Sequence, residues 1–287
     1  MIDLRGEPLA RLGYWRVGGP LERFVVPDTV EELRAARADR VIGAGSNLLA
    51  PDGGLAGTTA RPGAGFRTVE VVGEHGADVL VRAGAGLPDA VLLARLERLG
   101  LAGLGCLAGV PGTVGGAVAM NAGTALGEVA SVLVEVEGVD GSRLSRGELP
   151  MAYREGGLPH GFVVTGATFA LRRDDGVERA AIQAHLARRK ATQPLDLPSC
   201  GSVFRNPPGD HAGRLVESVG LKGHRLGGAA ISERHANFIV NLGEATATDV
   251  MGLIRLAWET VREQTGVRLV PEVQVLGEWP AGVWPLR

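Results

Sequence analysis

Hydrophobic and polar positions along the chain fall into two periodicities, one near 3.6 residues and one of two. Four stretches carry the helical spacing. Asp28-Thr29-Val30-Glu31 opens the first with an acidic cap and a glutamate three residues on, and the pattern runs to about Asp39. Pro88 opens the second, whose apolar face is Val91, Leu92, Leu96 and Leu99 before Gly100 stops it. The third covers roughly 177–191, with Ile182 and Leu186 one turn apart. The fourth starts at Thr246 with Asp249 three residues on, and aligns Val250, Ile254, Ala257, Trp258 and Val261 as far as Gly266. Extended runs fill the intervals at 23–26, 40–42, 69–72, 78–82, 133–139, 162–171, 237–241 and 267–276. Val134-Glu135-Val136-Glu137 alternates, which predicts a strand with one wet face. Strands and helices do not alternate strictly, so the pattern predicts an α+β fold rather than a doubly wound sheet. Gly/Pro-rich junctions near 51–65 and the charge-rich stretch 172–179, which opens Arg172-Arg173-Asp174-Asp175-Gly176, mark boundaries, and no internal repeat is present.

Composition narrows the function classes. The 287 residues suffice for two or three structural units around real cores. Hydrophobic residues at 45% and charged residues at 22% are ordinary soluble usage. The formal charge of -2, from 30 basic and 32 acidic residues without a basic stripe, sets nucleic acid aside as a partner. Glycine is the outlier: 44 residues is about twice the usual share. It has no period of three and apolar runs recur, which excludes collagen-like and disordered chains. The glycine must serve backbone geometry, in loops that approach something closely.

Cys106 and Cys200 cannot form a disulfide framework, and the six histidines show no ligand-pair spacing, so no metal is expected. The opening MIDLRGEPLARLGYW lacks the charged-then-apolar pattern of a signal peptide, which implies a cytoplasmic location. Residues 99–127 run uncharged for 29 positions, long enough to span a bilayer. Nine of them are glycine and one is Pro111, so the segment reads as a protein-buried loop system and no membrane partner is expected.

Two glycine loops carry the candidate chemistry. Ile42-Gly43-Ala44-Gly45-Ser46-Asn47-Leu48 follows a short strand; its glycines expose backbone N–H groups, and Ser46 and Asn47 add side-chain donors. Such a concavity suits a diphosphate, although a strand-end turn has the same composition. No GK[ST] follows, and Leu48 holds the sixth place, so neither the Walker loop nor GxGxxG applies. Residues 103–108 match GxGxxA formally but follow a helix instead of a strand. Further on, Gly109-Val110-Pro111-Gly112-Thr113-Val114-Gly115-Gly116-Ala117 and Asn121-Ala122-Gly123 place five glycines in fifteen positions, with one hydroxyl, one amide and no charge. Such a backbone can wrap a large neutral-to-anionic ligand; close packing through small residues is the other reading for 115–119.

VIGAGSNLL, GVPGTVGGAVAMNAG, YR, CGSVFRNP, GLKG and PEV, in that order, resemble the UDP-N-acetylenolpyruvoylglucosamine reductases (UDP-N-acetylmuramate dehydrogenases, MurB). The resemblance spans nearly the whole chain, from Arg16-Val17-Gly18-Gly19 to Glu272, in the short form of the family that lacks an inserted substrate-covering loop. It implies a two-subdomain FAD-binding (PCMH-type) fold plus a third α+β substrate-binding domain. The implied divisions are 1–57 joined by 267–287, then 58–172, then 173–266 for substrate. It also implies non-covalent FAD, held by Gly43, Gly45, Ser46, Asn47, Leu48, Gly109, Val110, Pro111, Gly112, Thr113, Gly115, Gly116, Asn121 and Gly123. NADPH would be the hydride donor and UDP-N-acetylglucosamine enolpyruvate the substrate reduced.

Carried over residue by residue, Arg154, Ser202 and Glu272 are the family's arginine, serine and glutamate, which polarise the substrate carboxylate and deliver one proton. Tyr153, Lys190, Arg205 and Asn206 fall at substrate-binding positions; Lys222 and His235 match more loosely. Gly156 stands where many members have serine, and Gln274 where relatives often carry arginine. Read without the resemblance, Arg154 is one of 28 arginines and Ser202 a turn residue. Glu272, after Pro271, is a carboxylate at a strand edge or one buried with a partner. Two rival functions share the glycine loops: an FAD-dependent alcohol or hydroxy-acid oxidase, and a non-catalytic flavin-binding module.

Overall fold

In the computed structural model, which describes residues 1–280, 283 and 284, the chain separates into two compact units. The first takes Met1–Leu4, Phe24–Ala44 and Thr58–Arg188; the second takes Arg5–Arg23, Gly45–Gly57 and Arg189–Arg287. Residues 281, 282 and 285–287 of the expected 267–287 segment lie outside the described residues.

The first unit is built on an antiparallel sheet in the order Arg143–Ser145, Leu133–Gly138, Val164–Arg173, Asp78–Gly84, Val69–His75. Its middle strand, Val164–Arg173, is buried over its first six positions, as a strand covered on both faces must be. At Gly166 a Cβ would press on Arg82 and Glu137 from the two flanking strands. Glycine there lets Arg82 donate to both Glu137 oxygens across the strand, at 2.6–3.1 Å, and this holds the Glu137 carboxyl below its ordinary range. The alternation expected at 134–137 is broken by a bulge between Leu133 and Glu135, so Leu133 and Val136 are buried instead of a strict every-second set.

Helix α1 (Val30–Ala36) begins one residue later than its acidic cap suggested. Thr29 accepts the Glu32 N–H, because the Asp28 carboxylate is engaged by the Ala64 N–H at 2.7 Å. The helix stops at Arg37, in the left-handed region, and not at Asp39. In α2 (Asp89–Arg98), Leu92 and Leu96 are buried while Val91 and Leu99 are exposed, a narrower inner face than expected. A helix absent from the apolar periodicity, α3 (Val114–Ala119), lies inside the second glycine loop. Helix α4 (Val177–Thr192) runs from one unit into the other and buries no side chain; Ile182 is half-buried and Leu186 exposed.

The second unit contains α5 (Ala212–Ser218) and α6 (Ala247–Thr265). Helix α6 starts at a reciprocal Thr246/Asp249 capping box and ends at Gly266 with φ +74°. It buries Val250, Ile254, Ala257, Trp258 and Val261 as its periodicity required, with Met251 and Leu253 in addition. Each large side chain so enclosed contributes on the order of 1.5–3 kcal/mol, which makes α6 the main anchor of this core. It packs on the strands Arg225–Leu226 and Ala229–Ile231, and the latter pairs in turn with Ile239–Asn241. The expected strand 267–276 is reduced to Gln274–Val275, with one isolated bridge from Pro271 to Phe204. Pro271 has no N–H to continue a ladder.

Candidate active site

In the second unit, three segments far apart in sequence are hydrogen-bonded together. The segment around Ser202 is extended, bridged to Phe238 on one side, while Phe204 bridges Pro271 on the other. The Glu272 N–H donates to the Val203 carbonyl at 2.8 Å, and the Arg205 N–H to Val270 at 2.8 Å. Ser202 and Glu272 are thus held on neighbouring extended segments, both half-buried. Asn237, 3% exposed, fixes this stretch with its side chain: Nδ2 donates to the Phe204 carbonyl at 2.8 Å, and Oδ1 accepts the Phe204 N–H at 3.0 Å. The first glycine loop joins the same assembly. Asn47 Nδ2 donates to the Glu272 carbonyl at 3.0 Å, and Leu48–Leu49 pairs in parallel with Gln274–Val275. Asn47 therefore positions Glu272 as well as lining its own loop.

The division between the units falls inside that loop, between Ala44 and Gly45. Gly45, at φ +72°, is needed by the fold itself, since a Cβ there would lie 2.8 Å from the Leu12 carbonyl. Cys200 is buried with Sγ toward the Leu48 and Gly45 carbonyls, and burial pushes its thiol up to about 12.

In the first unit, the second glycine loop is stapled from both ends. The Glu178 carboxylate accepts the Gly103 and Gly105 N–H groups at 2.9 and 3.2 Å, and fills the space a side chain at 105 would need. At the other end, the Asp89 N–H donates to the Gly112 carbonyl at 3.1 Å, and the Val114 N–H to Leu87 at 3.0 Å. Gly115 donates its N–H to Ala85 at 2.9 Å, and its missing Cβ would sit 3.0 Å from that of Ala85. Its glycine therefore serves packing. At Gly116, by contrast, the nearest atom to an added Cβ is Thr113 Oγ1, at 3.7 Å. Thr113 Oγ1 is itself buried and makes no hydrogen bond to any of the described residues, although Thr113 caps α3 by position. A hydroxyl donor without an acceptor beside an open glycine backbone fits the diphosphate of a dinucleotide cofactor.

Two acids behind this loop escaped the sequence reading. Asp89 is 1% exposed, neither carboxylate oxygen has a hydrogen-bond partner among the described residues, and burial raises its carboxyl to about 7. A Cβ at Gly112 would collide with it. The only local signal was an acid in a first helical turn, which usually points to solvent. Glu178 sat in a charged run that read as a boundary. Cys106 is buried, and desolvation with the nearby Glu178 charge pushes its thiol up to about 12.

Arg154 occupies the second position of a two-residue turn closed by reciprocal 2.9 Å hydrogen bonds between Ala152 and Glu155. Its φ of +61° is left-handed, a conformation costing a non-glycine residue about 1–3 kcal/mol. Its guanidinium lies 4.9 Å from the Tyr153 ring centre. Gly156 follows because a Cβ there would strike the Val118 and Ala119 carbonyls at the end of α3. Asn121 was expected at the cofactor, but its backbone N–H, both amide protons and Oδ1 are all committed inside the protein. Among the other expected contacts, Lys190 is exposed on α4, Arg205 is half-buried, and the Asn206 Oδ1 accepts the Ala212 N–H at the start of α5. Lys222 pairs with Glu217 at 2.9 Å. His235 packs at a tilt on Phe238, its Nδ1 accepts the Asn237 N–H at 3.3 Å, and burial lowers its pKa.

Residues 193–276 match the family described as the C-terminal domain of UDP-N-acetylenolpyruvoylglucosamine reductase, and residues 22–142 match the FAD binding domain family. The UDP-N-acetylenolpyruvoylglucosamine reductase of Myxococcus xanthus (strain DK1622) is 47% identical over 96% of this chain and 92% of its own length. That of Anaeromyxobacter sp. (strain Fw109-5) is 46% identical over 97% of this chain and 90% of its own. Among solved structures, the reductase (MurB) from Thermus caldophilus superposes with a TM-score of 0.83 at 39% identity, over 96% of this chain and 98% of that one.

Proposed function

Because the chain belongs to the UDP-N-acetylenolpyruvoylglucosamine reductase family of FAD-binding oxidoreductases, we propose that it reduces UDP-N-acetylglucosamine enolpyruvate to UDP-N-acetylmuramate, with NADPH as the hydride source. The reaction would serve peptidoglycan precursor synthesis in the cytoplasm; no helix among the described residues is long and apolar enough to cross a membrane. The observation that carries the reading is the assembly of Ser46–Leu49, Ser202–Arg205 and Val270–Val275 into one hydrogen-bonded unit.

Bound flavin supplies hydride transfer, from the nicotinamide to the enolpyruvyl double bond. Gly43, Gly45, Ser46, Gly109, Gly112, Thr113 and Gly116 would hold its diphosphate and adenosine through backbone amides and the Thr113 hydroxyl, while Val110, whose N–H donates to Leu107, and Pro111, which has none, would shape the loop between them. They do so without a large local positive charge. Hydride addition at one carbon leaves charge delocalised toward the substrate carboxylate, as an enolate. Arg154 pairs with that carboxylate and lowers the cost of the developing charge. Ser202 donates its hydroxyl proton to the second carbon, and Glu272 orients and polarises the same group. Tyr153, Lys190, Arg205 and Asn206 hold the nucleotide-sugar. The three-part division at 1–57 with 267–287, 58–172 and 173–266 belongs to this reading. Buried Cys106, with no thiolate to attack a flavin ring, favours non-covalent attachment over the tethering of some oxidases.

Anaerobic stopped-flow absorbance at the oxidised-flavin band separates the steps. NADPH should bleach the flavin, and the enolpyruvyl substrate should restore it. Ser202→Ala should leave bleaching nearly intact and slow restoration by roughly 10²–10⁴-fold, the usual worth of a positioned proton donor. Equal slowing of both steps would make Ser202 a loop residue. Reoxidation by oxygen alone, with no response to the substrate, would favour the oxidase.

A further inference from the structure

Asn121 is 1% exposed and lies between the second glycine loop and the turn that carries Arg154. Its Nδ2 donates to the Ala152 carbonyl at 2.9 Å and to Glu128 Oε2 at 2.9 Å, and its Oδ1 accepts the Ala130 N–H at 3.0 Å. Ala152 is the residue whose reciprocal hydrogen bonds with Glu155 close the turn around Tyr153 and Arg154. On the far side of the turn, the Gly156 N–H donates to the Ala119 carbonyl at 3.0 Å. Both ends of the turn are therefore fastened to α3 and the residues just after it. The turn needs fastening, because Arg154 sits at a left-handed φ that it would leave if the flanking backbone were released.

We infer that Asn121 is a positioning residue for Arg154, holding the strained turn so that the guanidinium is presented in one orientation. The inference rests on Arg154 being a substrate residue. The geometry also separates Asn121 from cofactor duty, since each of its donors already has a protein acceptor. Asn121 itself has φ +43°, which asparagine tolerates better than most residues, so the position suits this side chain for both backbone and amide reasons.

A four-protein cycle tests it: parent, Asn121→Gly, Arg154→Ala and the double variant, all as holoenzymes. Glycine preserves the left-handed backbone while removing the amide. Two quantities are read, the Kd of the enolpyruvyl substrate for oxidised flavoprotein by calorimetry, and the rate of substrate-driven flavin reoxidation. Asn121→Gly should retain flavin and NADPH bleaching within about twofold of the parent, yet weaken binding and slow reoxidation by roughly tenfold. In the Arg154→Ala background, the same substitution should change either quantity by less than about twofold, because the residue it positions is gone. An equal penalty in both backgrounds overturns the inference while leaving Arg154 as a substrate residue. Loss of flavin on Asn121→Gly overturns it in favour of a cofactor-loop role. Parent-like behaviour of Arg154→Ala overturns both the inference and the reading it rests on. Should Asn121→Gly prove insoluble, Asn121→Ala removes both amide donors without placing a second carboxylate beside Glu128, and the cycle is run with it.

Discussion

Replacing Asp89 with asparagine removes a titrating group from beneath the second glycine loop without changing its shape. The carboxyl is 1% exposed, has no hydrogen-bond partner among the described residues, and is raised from 3.8 to about 7 by burial alone. An acid whose folded pKa lies above its unfolded one stabilises the fold only while protonated. Between pH 4 and 7 the folded protein keeps a proton that the unfolded chain has released. The unfolding free energy therefore falls as pH rises through that window, and levels off above about 7. At about 1.4 kcal/mol per pH unit the full loss is roughly 4 kcal/mol, more than half of it between pH 5 and 8. For a protein of this size that is a difference of roughly 5–10 °C in melting temperature. The assay is thermal or guanidinium unfolding of parent and Asp89→Asn at both pH values. Depressed carboxyls such as Asp210 and Glu137 pull the other way, but they are common to both proteins and cancel in the comparison. Asp89→Asn should lose less stability from pH 5 to 8 than the parent does. Parallel pH dependences would refute the burial argument and mean that Asp89 is solvated or paired in solution.

The glycine loops give a paired test. Gly116→Ala meets only Thr113 Oγ1 at 3.7 Å and lies in α3, so it should fold at least as well as the parent. If the cofactor approaches there, it should bind flavin more weakly by an order of magnitude or so, and full flavin content would remove Gly116 from the cofactor site. Gly115→Ala presses on Ala85 at 3.0 Å and should destabilise the unit whether or not flavin is present, read as a lowered melting temperature of the apoprotein. Glu272→Gln keeps the Val203 and Asn47 backbone contacts but removes the charge. It should therefore slow substrate reduction and largely spare NADPH bleaching, and parent turnover would make Glu272 a strand-edge residue.

Local order was legible in the sequence wherever the interactions that create it span a few residues. Helix α6 is the clearest case: its capping box, its apolar stripe and its Gly266 stop are all near-neighbour features, and all are where the pattern put them. The glycine loops and the motif segments were readable for the same reason, since a short run of glycines limits the backbone by itself. Tertiary structure alone decided what each surface meets. Val91 and Leu99 have helical spacing but remain exposed, because no element among the described residues covers that part of α2. The 267–276 run breaks where Pro271 denies the ladder an N–H and Phe204 pairs with it instead. Asp89 carries the sequence signature of a solvated helix start, yet the 109–113 loop closes over it; burial, and with it the raised pKa, depends on a partner segment that no local pattern names. Asn121 differs in the same way, its motif pointing to a cofactor and its amide spent on the turn of Arg154. Propensity and capping act along the chain over a few residues. Burial and long-range pairing depend on which distant segments are brought into contact, and only the folded chain determines that.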